Sequence, residues 1–154
     1  MKRPILYYTG TIHNNIKEGI SSFGNPLVWW TGIAAFIYMV YRLIVKKDKT
    51  ALFLIVAYLA QLLPWVFVTR TTYIYHYFPS VPFVVLMIGY TIYNLYNNVN
   101  TSNKRVLCKA TSYAYVALAI LLFLMFYPVL SGYPCNEEYV NTFLKWFNSW
   151  VLII

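Results

Sequence analysis

The chain has 154 residues, of which 60% are hydrophobic and only 10% charged, a ratio that excludes a soluble globular domain of this size. Its formal charge of +8 would suggest nucleic acid in a soluble protein, but the basic residues stand mainly in short connections beside apolar runs. There they read as topology signals, and no nucleic-acid partner is expected.

Met1, Lys2, Arg3 and Pro4 open the chain with charge, yet Tyr, Thr, His and Asn follow in place of a continuous apolar stretch, so no cleavable signal peptide is expected. Neither a repeat nor an interdomain linker is visible, and one membrane domain is the simplest count. Residues 1–26 are read as an N-terminal segment on the outer face. Within it Ile12, Ile16, Ile20 and Phe23 fall near one helical face, with Gly24 as a stop, which predicts a helix lying in the membrane interface.

Residues 27–130 hold four apolar runs, 27–45, 51–69, about 75–96 and 110–130. At 1.5 Å rise per residue the first would be roughly 28 Å long as a helix, close to a hydrocarbon core of about 30 Å. Strict alternation is absent, so helices rather than barrel strands are expected to satisfy the backbone within lipid. Pro64 is expected to kink the second run, and Pro79 and Pro82 to confine the start of the third. The connection at 46–50, with Lys46, Lys47 and Lys49, and the later one carrying Lys104, Arg105 and Lys109 are predicted to be cytoplasmic. Both termini then lie on the extracytoplasmic or lumenal side. Such a topology suits a piece that follows an upstream membrane region, such as a split-gene product or a truncated gene.

Residues 131–154 are read as a second outer-face segment. Asn136 is placed to cap a helix whose first turn holds Glu137 and Glu138, with Tyr139, Phe143, Trp146, Phe147 and Trp150 near one face. Asn141, Lys145 and Asn148 argue against a fifth span. The expected fold is therefore an all-α membrane protein of four transmembrane helices with interfacial helices at both ends.

The densest polar and aromatic cluster is Pro64 and Trp65, then Arg70, then the run Tyr73, Ile74, Tyr75, His76, Tyr77, Phe78, Pro79, followed by Pro82 and Phe83. It falls at the outer turn between the second and third spans. The guanidinium fork of Arg70 could hold a phosphate there through paired bonds, or Arg70 could simply snorkel to the interface. His76 could donate to a phosphate or sugar, or could tie helix ends together, and the tyrosines could be an aromatic belt. His13 and His76 lie far apart without carboxylate or cysteine partners, so neither a metal site nor another cofactor is expected. Cys108 and Cys135 fall on opposite predicted sides and are read as free thiols. Asn100, Thr101 and Ser102 match a glycosylation acceptor only formally, on the predicted inner side. Gln61, inside the second span, is read as an interhelical hydrogen bonder.

Taken together these motifs resemble the C-terminal four-span region of protein O-mannosyltransferases, membrane glycosyltransferases of the GT-C class. The resemblance is carried by Gly24, Asn25 and Pro26 with Trp29 and Trp30; by Leu63, Pro64 and Trp65 with Arg70; by Tyr75, His76, Tyr77, Phe78 and Pro79 with Pro82 and Phe83; and by Tyr127 to Gly132 followed by Trp146 and Trp150. It covers almost the whole chain. It implies transfer of mannose from polyprenyl-phosphate mannose to a serine or threonine hydroxyl of a protein acceptor on the outer side. Arg70, Tyr75, His76 and Tyr77 are the resulting donor-site candidates, and Asn25, Trp29 and Trp30 would shape the entry to the first span.

The resemblance also places the catalytic acidic motif, an adjacent Asp-Glu pair, in an external loop of the N-terminal half. No Asp-Glu pair occurs here, and Glu137 and Glu138 read better as helix-start charge. An acceptor hydroxyl needs a positioned base, so no catalytic residue is assigned and the chain is expected to be inactive alone. Its expected partners are membrane lipid, the lipid-linked donor, an upstream half if separately encoded, and the protein acceptor in the complete enzyme. The main alternative is a non-catalytic assembly or lipid-binding helper. A small transporter is a third reading, which the lack of intramembrane charges and paired broken helices disfavours.

Overall fold

The computed structural model describes residues 5–13, 16–22, 24–68, 76–99, 101–147, 150 and 152. Among the described residues four helical segments are long and apolar enough to cross a membrane, as expected from the four apolar runs. They contain α1 (Pro26–Lys46), α2 (Lys49–Val66), α3 (Val81–Asn97) and α4 (Ser102–Ser131). Differences at the ends have local causes. Pro79 lies in a 3-10 turn, Phe78–Ser80, that delays the start of α3, and Pro82 takes the second position of α3, where no intrahelical donor is required. Helix α4 begins two turns before its apolar stretch. It ends in a Schellman turn, with Gly132 at φ 74° and Tyr133 N–H donating to the Pro128 carbonyl at 3.0 Å.

Residues 26–117 form one compact unit. Helix α1 ends where Lys47 takes φ 50°, and Asp48 then caps α2 by accepting from the Thr50 and Ala51 N–H groups at 3.0 and 3.3 Å. The core contains Ala35 and Met39 from α1, Ala51, Leu54 and Ile55 from α2, and Val84, Met87 and Ile88 from α3. Their i, i+3 and i+4 spacings are those of one stripe per helix. Outside it Ile33, Ile37, Phe53, Val56, Val85 and Leu86 are exposed. That much uncovered apolar surface, worth about 25 cal/mol per Å² in water, carries no such penalty against lipid tails. The Thr31 hydroxyl, in α1, donates to the Leu27 carbonyl at 2.7 Å. It also lies 2.7 Å from the Tyr115 hydroxyl of α4, which is therefore the donor of that pair.

Residues 1–25 and 118–154 form a second unit, and here the structure corrects the sequence reading. The expected N-terminal interfacial helix is a β-hairpin, β1 (Ile5–His13) antiparallel to β2 (Ile16–Ser22), joined in the order β1-β2-β3 by β3 (Cys135–Asn136). A spacing of four, as in Ile12, Ile16 and Ile20, falls close to one face of a helix but is also a multiple of the strand period of two. The β-branched and aromatic residues of β1, and the two-residue connection between the strands, favour the sheet. Phe23 lies outside the described residues.

At the other end Asn136 does cap a helix, accepting from Glu138 N–H at 3.0 Å. The helix is short, however: α5 (Glu137–Tyr139) continues into a π turn, Val140–Leu144, and stops there. Phe126, Val129, Val140, Leu144 and Leu152 share one core cluster. The helix stops at Leu144, and Leu152 joins the same cluster from beyond its end. Leu152 then accepts from the buried Ser21 hydroxyl at 2.8 Å.

Candidate functional site: the aromatic turn before α3

Two aromatic pairs hold the residues that lead into α3. Tyr77 stacks on Trp29 of the first turn of α1, with ring centroids 4.6 Å apart and planes inclined by 24°. Its hydroxyl lies 3.1 Å from that of Tyr58 in α2, so one tyrosine ties three helices together. His76 packs on Trp65, near the end of α2, at 4.2 Å. A stacked pair such as Tyr77–Trp29 adds about 0.5–1.5 kcal/mol beyond the area it buries, and the two pairs together form an aromatic platform. Burial, and then the bond to Tyr58, push the Tyr77 phenol above its ordinary value. Tyr77 therefore stays protonated and can serve as a hydrogen-bond donor but not as a base.

Of the residues singled out in the sequence, Trp29 and Tyr77 are brought together, and His76, next to Tyr77 in the chain, packs on Trp65. Trp30, one helical step from Trp29, faces outward and is 68% exposed. Asn25, just before α1, donates its amide to the Ala119 carbonyl at 2.8 Å, a structural tie. Arg70 and Tyr75 lie outside the described residues. Sequence reasoning missed Tyr58; its signal was a hydroxyl within an apolar span, where such a group must find a partner.

The platform lacks a carboxylate of its own. Asp48 is the only acidic residue between 26 and 117, and it caps the far end of α2, roughly 26 Å from Trp65 along the helix. What the turn offers is ring surface and neutral donors, which suit a sugar or the head of a lipid.

The family described as the C-terminal four TMM region of protein-O-mannosyltransferase matches residues 1–150. The chain belongs to this family. A polyprenol-phosphate-mannose–protein mannosyltransferase of Mycobacterium tuberculosis is 31% identical over 156 residues, covering 96% of the chain and 30% of the relative. Another of the same name from Mycolicibacterium smegmatis is 28% identical over the same length and coverage. The chain thus spans about a third of the length of these curated relatives and corresponds to their C-terminal membrane region. No solved structure matches. With its four apolar helices, the chain is an integral multi-pass membrane protein.

Proposed function

We propose that this chain is the membrane portion of a protein O-mannosyltransferase that holds polyprenyl-phosphate mannose while mannose passes to a serine or threonine hydroxyl. The observation that carries the reading is the Tyr77–Trp29 stack bonded to Tyr58, at the turn that follows Arg70 in sequence. In this reading Arg70 contacts the donor phosphate, while Tyr75, His76 and Tyr77 wall the same pocket. Trp29, Trp30 and Asn25 set the entry of the first span. Segments 1–26 and 131–154 lie on the extracytoplasmic face with both termini. The meeting of β2 with β3 supports placing the two ends on one side.

Residues 1–154 are proposed not to transfer mannose by themselves. Glu137 and Glu138 occupy the first turn of a capped helix, Asp48 is engaged elsewhere, and no Asp-Glu pair is present. A carboxylate base supplied from outside these residues is expected to restore transfer. Donor-dependent mannosylation of an acceptor peptide by the purified chain alone would overturn this.

With the missing acidic motif restored, Arg70→Ala is expected to weaken donor binding about tenfold or more, since a charge-assisted hydrogen bond is worth about 1.5–3 kcal/mol. Arg70→Lys should recover part of the loss, because an ammonium keeps the charge but not the paired geometry. Donor affinity measured on equal amounts of folded protein tests this; unchanged affinity in both variants would remove Arg70 from the site.

Topology is tested separately in a cysteine-free background. Tyr133→Cys, at a position 66% exposed, should react with a membrane-impermeant maleimide from outside. Lys47→Cys should react only after permeabilisation, and the reverse pattern would invert the topology.

A further inference from the structure

The opposite end of residues 26–117 carries a second polar assembly that the donor reading does not use. Lys46, Lys47 and Lys49 flank the α1–α2 turn, and Lys104, Arg105 and Lys109 stand on the first two turns of α4; all six are exposed. The Tyr90 hydroxyl of α3 donates to Asp48 at 2.8 Å, which places the C-terminal part of α3 at the α1–α2 turn. The carboxylate at this end is already engaged: Asp48 also accepts two bonds from Arg42, at 2.6 and 3.1 Å, besides capping α2. Among the described residues it cannot neutralise the lysines.

Within this end two cations converge on one ring. The Arg105 guanidinium carbon lies 5.5 Å and the Lys109 ammonium 5.6 Å from the centroid of Tyr96, in the last turn of α3. Arg105 also donates to the Val99 carbonyl at 3.3 Å. Like charges four residues apart on a helix repel each other, and an anion between them would remove that cost. Helix α4 is about 45 Å long at 30 residues, against a hydrocarbon core of about 30 Å. Its apolar part, 110–130, accounts for about 31 Å, so the turns bearing Lys104, Arg105 and Lys109 run at the depth of lipid headgroups.

We propose that Arg105, Lys109 and Tyr96 form a binding site for the phosphodiester of an acidic phospholipid. The two cations contact the phosphate, the ring fixes their separation, and the neighbouring lysines raise the local concentration of acidic lipid. The site is independent of the donor turn and of the direction in which the chain crosses the membrane.

The test uses the full chain in nanodiscs of mixed phosphatidylglycerol and phosphatidylcholine, with the lipids that co-purify after gentle detergent extraction counted by native mass spectrometry. Wild type should retain one phosphatidylglycerol in preference to phosphatidylcholine. The pair Arg105→Gln and Lys109→Gln should reduce that preference about thirtyfold, as loss of two charges at the surface implies. Tyr96→Leu, which changes no charge, should also reduce it. The pair Lys46→Gln and Lys47→Gln removes the same charge elsewhere on this end and should have a clearly smaller effect. Equal losses in the two charge pairs, or full retention in Tyr96→Leu, would show diffuse attraction and overturn the site. Displacement of the lipid by millimolar inorganic phosphate would overturn the lipid assignment.

Discussion

Asp48→Ala is expected to lower the stability of the four-helix region by about 3 kcal/mol or more, because one carboxylate serves three structural purposes. It caps α2, and loss of a cap costs about 1 kcal/mol. It is the partner of Arg42, whose side chain is only 18% exposed, and removing one member of a partly buried pair leaves the other charge uncompensated. It also accepts from Tyr90, so α1, α2 and α3 all lose a tie at the same end. Asp48→Asn should cost less, since asparagine caps helices as well as aspartate does but cannot pair with Arg42. Thermal unfolding in detergent, compared for wild type and the two variants, measures the order wild type, Asn, Ala. Equal stability of Asn and Ala would show that the cap contributes nothing.

The same cluster sets an acid limit. Partial burial favours the neutral acid, but bonds from Arg42, then Tyr90, then the Ala51 and Thr50 N–H groups outweigh it and hold Asp48 at about 2, below its ordinary 3.8. A carboxylate depressed in the folded state stabilises that state fully above its unfolded value and loses the contribution as pH falls through its folded value. Wild type should therefore lose stability between about pH 4 and pH 2 by an increment that Asp48→Asn lacks. A wild-type and Asn curve that stay parallel across that window would remove the ion pair from the account.

How much of this was legible in the sequence depends on the range of the interaction. The four spans were, because an apolar run long enough to cross the bilayer is a property of consecutive residues. So was the Asn136 cap, whose signature of Asn followed by two acids is local. The Asp48 cap has a comparable local signature, an aspartate three residues before an apolar run, but it was masked by three neighbouring lysines that read as topology. The hairpin was misread because isoleucines four apart satisfy two periods at once. Even there a local clue was present: the two asparagines between the strands are turn formers. The candidate site was legible only as a set of residues. Trp29 and Tyr77 lie 48 positions apart, and nothing in either segment says that their rings stack; that pairing depends on how closely α1 and α3 approach.

That approach is set at Gly32, which leads to the second large effect. Gly32 is buried in α1 one turn before Met39's neighbour Ala35, and a Cβ placed on it would overlap the Cγ1 methyl of Val84 in α3. Small residues let membrane helices come close enough for dispersion to hold them. In an isolated helix, Gly→Ala is favourable by about 1 kcal/mol. Here Gly32→Ala should instead be neutral or destabilising, because Val84 must rotate away. Gly32→Leu, which adds four carbons where the first already overlaps Val84, should cost about 3 kcal/mol or more. The functional consequence follows from position: Trp29 lies one turn before Gly32, so pushing α1 from α3 also separates Trp29 from Tyr77. Under the proposed function, Gly32→Leu should thus weaken donor binding as well as stability. Adding Val84→Ala to Gly32→Ala removes the overlapping methyl and should make the alanine stabilising relative to Val84→Ala alone. This double-mutant cycle, read by thermal unfolding, tests the contact itself. If Gly32→Ala has the same effect with valine or alanine at 84, the two residues do not set the helix spacing.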